Sequence, residues 1–224
     1  MDLSLSPEDR AFQDEVRQFF AENLTPDLRE AGARTGGVFA DFEASLRWHR
    51  KLAKKGWAAT TWPKEYGGPG WSATQRYIYS REATAADAPR IFNMGVRMVG
   101  PVIMKFGTPE QKAKYLPGII SGDIVFCQGY SEPGSGSDLA SLKTRADSDG
   151  DDYVINGTKI WTTGAHIANR MFCLVRTSSE GKAQDGISFV LIDSMQTPGL
   201  TVKPIITLAG DHEVNQVFFD NVRV

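Results

Sequence analysis

Between Cys127 and Thr144 the chain reads CQGYSEPGSGSDLASLKT, and further on, from Asn156 to Gly164, it reads NGTKIWTTG. The first stretch gathers glycines, serines, a proline and two carboxylates directly after an apolar run. Gly134 and Gly136 permit close approach of the backbone to a ligand, and Ser131, Ser135 and Ser137 add short hydroxyl donors. A nest of backbone N–H groups of this kind suits a pyrophosphate or another anionic or carbonyl-rich group. A tight surface loop with no ligand is the competing reading of the same residues.

Several familiar chemistries fail on detail. GSGSDL imitates the start of a dinucleotide fingerprint, but Leu139 stands where the third glycine belongs and no βαβ pattern surrounds it. A P-loop would need Gly-Lys-Ser/Thr at its end, which is missing. Gly129-Tyr130-Ser131-Glu132-Pro133 breaks the nucleophile elbow at its last position. Asp211-His212-Glu213 is a weak metal candidate, because neighbouring residues on a strand point to opposite faces, and a solvated turn explains it as well. No metal is expected.

Two kinds of element must hold these residues. SPEDRAFQDEVRQFFAENL opens with Ser6 as N-cap and Pro7 at the first helical position, and Phe12, Val16, Phe19 and Phe20 then share one helix face. Further helices are expected over Phe39–Lys55, Thr74–Ala85 and Ile91–Phe106. Thr108, Pro109 and Gln111 open another with a capping box, closed by Pro117, Gly118 and Gly122. After Gly122 the period becomes two, and DIVFCQGY, DDYVINGTKIWTT, RMFCLVRT, GISFVLID, GLTVKPI and VNQVFFDNVRV read as strands. Asn156-Gly157 is read as a hairpin turn. The expected fold class is α+β: an all-helical domain over residues 1–121, then an antiparallel β-sandwich or barrel over 122–224.

The 224 residues carry 25 Lys+Arg against 27 Asp+Glu, a net charge of −2 that offers nucleic acid no electrostatic footprint. No apolar run approaches a membrane span, and MDLSLSPEDR resembles neither a signal nor a transit peptide. Cys127 and Cys173 lie in strand-like apolar runs as buried, reduced thiols, which points to the cytoplasm.

The chain resembles the acyl-CoA dehydrogenases, flavoproteins that introduce an α,β double bond into a CoA thioester. The likeness rests on YSEPGSGSD (Tyr130–Asp138), NGTKIWTTG (Asn156–Gly164) and VFFDNVRV (Val217–Val224), with FGTPEQKAKYL (Phe106–Leu116) resembling the last helix before the family's β-domain. The resemblance implies FAD on the β-domain. Gln128, Tyr130 and Ser131 would line the flavin ring, and Gly136 and Ser137 its pyrophosphate, with Ser137 also near the CoA pantetheine. Trp161 would cover an edge of the isoalloxazine, and Thr163, with Thr162 beside it, would face the hydride-accepting nitrogen. Trp161 and Thr163 also read as plain sheet-core residues. Met94, Met98, Val99 and Val102 form an apolar stripe where the acyl chain would lie, and an ordinary packing face explains them equally well.

His49 and His166 read as structural or exposed, Lys105, Lys112 and Lys114 as a solvated face, and Glu132 and Asp138 as caps within their loop. In the family the general-base glutamate lies in a further helical domain, placed here beyond Val224. The expected activity is therefore dehydrogenation by a longer protein, homo- or hetero-oligomeric (a tetramer in the family), with an acyl-CoA substrate and an electron-transfer flavoprotein as acceptor. A non-catalytic subunit that binds FAD or acyl-CoA, an acyl-CoA oxidase and a flavin monooxygenase remain as alternatives.

Overall fold

The computed structural model describes residues 4–37 and 41–224, and the chain divides into two compact units, Met1–Asp123 and Ile124–Val224. The α+β architecture expected from the change of period is observed.

The first unit is helical. α1 (Pro7–Asn23) begins where the Ser6 hydroxyl accepts the Asp9 N–H at 3.0 Å, and it buries Phe12, Val16 and Phe20. α2 (Pro26–Ala33) was not anticipated; it is too short for its one buried apolar residue, Leu28, to reveal a period. α3 (Phe42–Lys55) is capped by Asp41 and ends at Gly56, whose left-handed backbone stops the helix. The expected start of this helix at Phe39 lies outside the described residues. α4 (Ala73–Ala85) opens with a Ser72–Gln75 capping box.

The helix expected from Ile91 begins only at Met94, and Met94–Val99 is a π-helical turn feeding α5 (Gly100–Phe106). The cause is local. The Trp62 indole donates to the Val96 carbonyl at 2.7 Å, and the Gly100 N–H bonds instead to the Gly95 carbonyl. Only glycine fits at 100, since a Cβ there would lie 2.3 Å from the Trp62 ring. α6 (Pro109–Ser121) starts with the expected Thr108–Gln111 box but runs through Pro117 to Gly122. Burial of Tyr115, Leu116 and Ile119 outweighs the one ladder bond that Pro117 removes.

The second unit is one seven-stranded sheet: β1 (Phe126–Gly129), β2 (Arg145–Asp149), β3 (Asp152–Thr163), β4 (Arg170–Arg176), β5 (Ile187–Ile192), β6 (Leu200–Ile206) and β7 (His212–Arg223). The order is β1-β4-β2-β3-β7-β6, with β5 also paired to β4. Most pairs are antiparallel, but β1 runs parallel to β4, and β2 meets β4 in a parallel step at Arg145 and Arg176. Cys127, Ile155, Met171, Cys173, Val175, Val217 and Val222 form its core.

Asn156-Gly157 is not a hairpin turn. β3 is continuous through it, and the turn to β2 lies at Asp149–Asp152 around left-handed Gly150. Gly157 is required by close approach instead: a Cβ there would come within 2.7 Å of the Thr144 Cα. Asn156 reaches across to β7, where its Oδ1 accepts the Asn221 N–H at 2.9 Å beside a bulge.

Candidate functional site

The loop after β1 is fastened from below by an inward-facing lysine. On β3, Ile155 and Lys159 share the parity that faces the interior, and Lys159 is 0% exposed. Its Nζ donates to Glu132 Oε1 at 2.8 Å and to the Tyr130 carbonyl at 3.0 Å. Glu132, itself buried, also accepts the Lys143 and Thr144 amides at 2.7 and 2.8 Å. Burial alone would raise the Glu132 pKa, but Lys159 and these amides hold it below the ordinary carboxylate value. Glu132 is thus a loop-fixing anion with its lone pairs engaged. Ser135 is likewise engaged within the loop, donating to the Asp138 carbonyl at 2.8 Å.

One residue along β3 breaks the alternation. Lys159 pairs with Val217 and Thr162 with Asn215, so three steps on β3 oppose two on β7. The extra residue makes a β-bulge, and Trp161 within it has φ +59, a left-handed backbone costly for an aromatic residue. The bulge turns Trp161 outward, 60% exposed, and turns Thr162 inward, 1% exposed. Thr163 follows half-buried at the strand end.

The two motifs lie side by side. The Ile160 N–H donates to the Ser131 carbonyl at 2.9 Å, which joins the loop to β3 next to Trp161. Gln128, Tyr130 and Ser131 are half-buried here, and Gly136 and Ser137 are exposed farther along the loop. A Cβ at Gly134 or Gly136 would meet nothing within 4 Å, so the backbone there is open to a ligand. Thr162 is set apart, because its hydroxyl is buried and unpartnered. In the helical unit Met94 and Val99 are buried, Val102 is half-buried and Met98 is 41% exposed, so the apolar stripe does not present one uniform face.

Residues 6–123 match the family model for the acyl-CoA dehydrogenase N-terminal domain, and residues 127–222 match that for the middle domain. The chain belongs to the acyl-CoA dehydrogenases. It is 41% identical to acyl-CoA dehydrogenase FadE26 of Mycobacterium tuberculosis over 100% of this chain and 56% of that protein. Among solved structures it is similar to the Tcur3481-Tcur3483 steroid ACAD, with TM-score 0.85 and 40% identity over 100% of this chain and 57% of that one. It is also similar to the ChsE4-ChsE5 complex of Mycobacterium tuberculosis, with TM-score 0.81 and 38% identity over 100% of this chain and 56% of that one. The chain therefore spans little more than half the length of the acyl-CoA dehydrogenases it matches.

Some residues that shape this candidate site were not apparent from the sequence. Lys159 carried the one usable signal, a cation inside an apolar strand. Arg176 on β4 donates to the Leu142, Ala140, Ala183 and Ser178 carbonyls at 2.9, 2.7, 3.0 and 3.3 Å, pinning the far end of the loop. Asn215, fully buried on β7, bonds the Thr162 carbonyl and two histidines. The partners that decide their roles, Thr162 and His166 for Asn215 and Leu142 and Ala140 for Arg176, are distant in sequence, so no local pattern betrays them. His49, by contrast, is structural: buried in α3, it donates to the Ile120 carbonyl at 2.8 Å.

Proposed function

We propose that this chain contributes the flavin-binding surface of a longer FAD-dependent acyl-CoA dehydrogenase that acts on a bulky lipid or steroid thioester. One observation carries the reading: Trp161, exposed on a left-handed bulge beside Thr163, stands next to Ser131, whose loop is joined to β3 by the Ile160–Ser131 hydrogen bond. Backbone strain and an outward indole on an otherwise regular strand fit a flat aromatic ligand.

In this reading Gln128, Tyr130 and Ser131 flank the ring, Trp161 packs on its edge, and the Thr163 hydroxyl faces its reactive nitrogen. Gly136 and Ser137 approach the pyrophosphate, and Ser137 also meets the thioester arm. FAD, when bound, supplies the hydride acceptor. The rigid Lys159–Glu132 anchor keeps these groups in place without reorganisation. Met98, Val99 and Val102 are assigned to the acyl chain, with Met98 and Val102 the side chains best able to touch it.

The general base is assigned to a carboxylate outside the described residues. Neither buried carboxylate here suits the role: Glu132 is saturated, and Glu82 accepts from Gln13, Arg17 and Arg81. Burial works to raise Glu82, but these partners leave it below its ordinary value, the wrong direction for a base.

Electrons are assigned to an electron-transfer flavoprotein. The ChsE4-ChsE5 complex supports a hetero-oligomer, and the steroid ACAD supports the substrate class. The free, buried Cys127 and Cys173 support a cytoplasmic setting, and no helix among the described residues is long and apolar enough to cross a membrane.

The test is an anaerobic flavin-bleaching screen of the full-length protein, with any co-expressed partner, across straight-chain, branched and steroid CoA thioesters. Bleaching by bulky thioesters is the expected result, together with reduction of an electron-transfer flavoprotein and no peroxide in a parallel aerated assay. Absence of flavin absorbance after FAD addition would overturn the reading, and peroxide formation would move it to the oxidases.

A further inference from the structure

Behind the Trp161 bulge sits a polar hub with no assigned role. Asn215 pairs across the sheet with Thr162, and its Nδ2 lies 3.0 Å from the Thr162 carbonyl and 3.1 Å from His166 Nδ1. Its Oδ1 lies 2.7 Å from His212 Nε2. The two imidazoles stack, with centroids 3.8 Å apart and planes 23° apart, and they line a cleft of about 250 Å³ with Met195 and Pro204.

Donor and acceptor logic fixes the protons on the atoms that face Asn215. The Thr162 carbonyl only accepts, so the Asn215 amide nitrogen must face it. Asn215 Oδ1 then faces His212, whose Nε2 must carry a hydrogen. The same amide nitrogen faces His166 Nδ1, which must therefore be bare. A proton on His166 Nδ1 would oppose N–H to N–H. Metal binding does not account for the pair, because lone pairs of near-parallel stacked rings do not converge on one ion.

We infer that Asn215, oriented by His212, is the positioning residue for the Trp161–Thr163 bulge, and that it acts as a latch that closes only while His166 is uncharged. This rests on the flavin reading given above. Asn215 holds the main chain at Thr162, one residue from the outward indole on one side and from the Thr163 hydroxyl on the other. Opening the latch removes a buried bond from a backbone already strained at Trp161, and the bulge loses its fixed geometry.

The charged groups around the cleft leave His166 as the control. Lys159 on β3 is bound by Glu132, Arg170 on β4 pairs with Asp193, and Lys203 on β6 lies over the Phe218 ring. Asp211 and Glu213 flank His212 on its own segment. His166 is exposed to solvent on the cleft rim, and partial desolvation first, then the neighbouring His212, lower its pKa, in keeping with a neutral ring at neutral pH.

The experiment compares the full-length wild type, Asn215→Ala and His166→Asn, the last offering a carbonyl acceptor that cannot titrate. Two readouts are taken between about pH 7.5 and 5.5, a range spanning ordinary histidine titration. One is FAD affinity, followed by flavin absorbance. The other is amide hydrogen exchange of residues 160–166 in flavin-free protein, corrected for intrinsic pH dependence.

N215A should weaken FAD binding about tenfold at neutral pH, the worth of one buried hydrogen bond, and speed exchange of this segment. Wild type should lose affinity and protection on acidification, and H166N should flatten that dependence. Parallel acid profiles in wild type and H166N would overturn the latch, as would N215A with unchanged affinity and exchange. A protein that binds no flavin at any pH would overturn the flavin reading, and the exchange readout would still decide the latch. If N215A does not fold, wild type against H166N decides it alone.

Discussion

Lys159 and Glu132 form an ion pair at 2.8 Å in which the lysine side chain is wholly buried and the carboxylate 8% exposed. The pair ties the middle of β3 to the loop after β1, and it connects the two sequence motifs on which the functional reading depends. Two charges removed from water persist only if each is paired and hydrogen-bonded, a condition met here by the Tyr130 carbonyl and the Lys143 and Thr144 amides.

Breaking one side of this pair should be costly. Lys159→Met leaves a buried, uncompensated carboxylate and should destabilise the protein by about 3–5 kcal/mol. Adding Glu132→Gln, which removes the buried charge and keeps one carbonyl oxygen as an acceptor for the amides, should recover part of that loss. Urea denaturation of both variants measures it, and equal stability of the single and double variants would refute the coupling.

Gly157 and Gly136 should behave in opposite ways. Gly157→Ala drives a Cβ into the Thr144 backbone and should cost about 1–3 kcal/mol, as other overpacked sites do. Gly136→Ala meets open space, so the melting temperature of flavin-free protein should hold while FAD affinity falls. Thermal melts and FAD titration of both variants check this.

Trp161→Asn separates stability from function. Asparagine tolerates the left-handed backbone that strains tryptophan, so flavin-free protein should be as stable as wild type or about 1 kcal/mol more stable. FAD retention should drop, because the indole leaves the ring edge. A variant that is destabilised yet retains FAD would contradict this.

Acid should destabilise the fold in two stages. Burial, the largest influence on His49, lowers its pKa below 6.5, so the folded state resists a proton that the unfolded chain accepts. Stability is then full above about pH 6.5 and falls as pH drops below it. Glu82 and Glu132 are held below their ordinary values despite burial, so their contribution is present above about pH 4.3 and is lost as pH falls through their folded values. Urea midpoints measured from about pH 8 to 3 should show both declines.

Helix starts were legible because capping is local. Ser6 with Asp9, and Thr108 with Gln111, satisfy orphan amides within one turn, and any reader of the sequence meets both partners together. The π-helical turn at Met94 was not legible, since its cause is the Trp62 indole, distant in sequence. Asn156-Gly157 misled for a related reason. Its residues suit a turn, yet the glycine answers to Thr144 and the asparagine to Asn221, neither of which lies nearby in the chain.

By itself the sequence determined the change from helix to sheet, the glycine- and serine-rich loop, and the motifs that mark an acyl-CoA dehydrogenase. The direction in which β3 points its residues was decided only by tertiary structure. Whether Lys159 faces in and Trp161 out depends on register against β7, and one extra residue at the bulge inverts the parity of everything after it. Register is a property of two strands together, so the inward anchor, the outward indole and the Asn215 hub exist only once β3 and β7 have met.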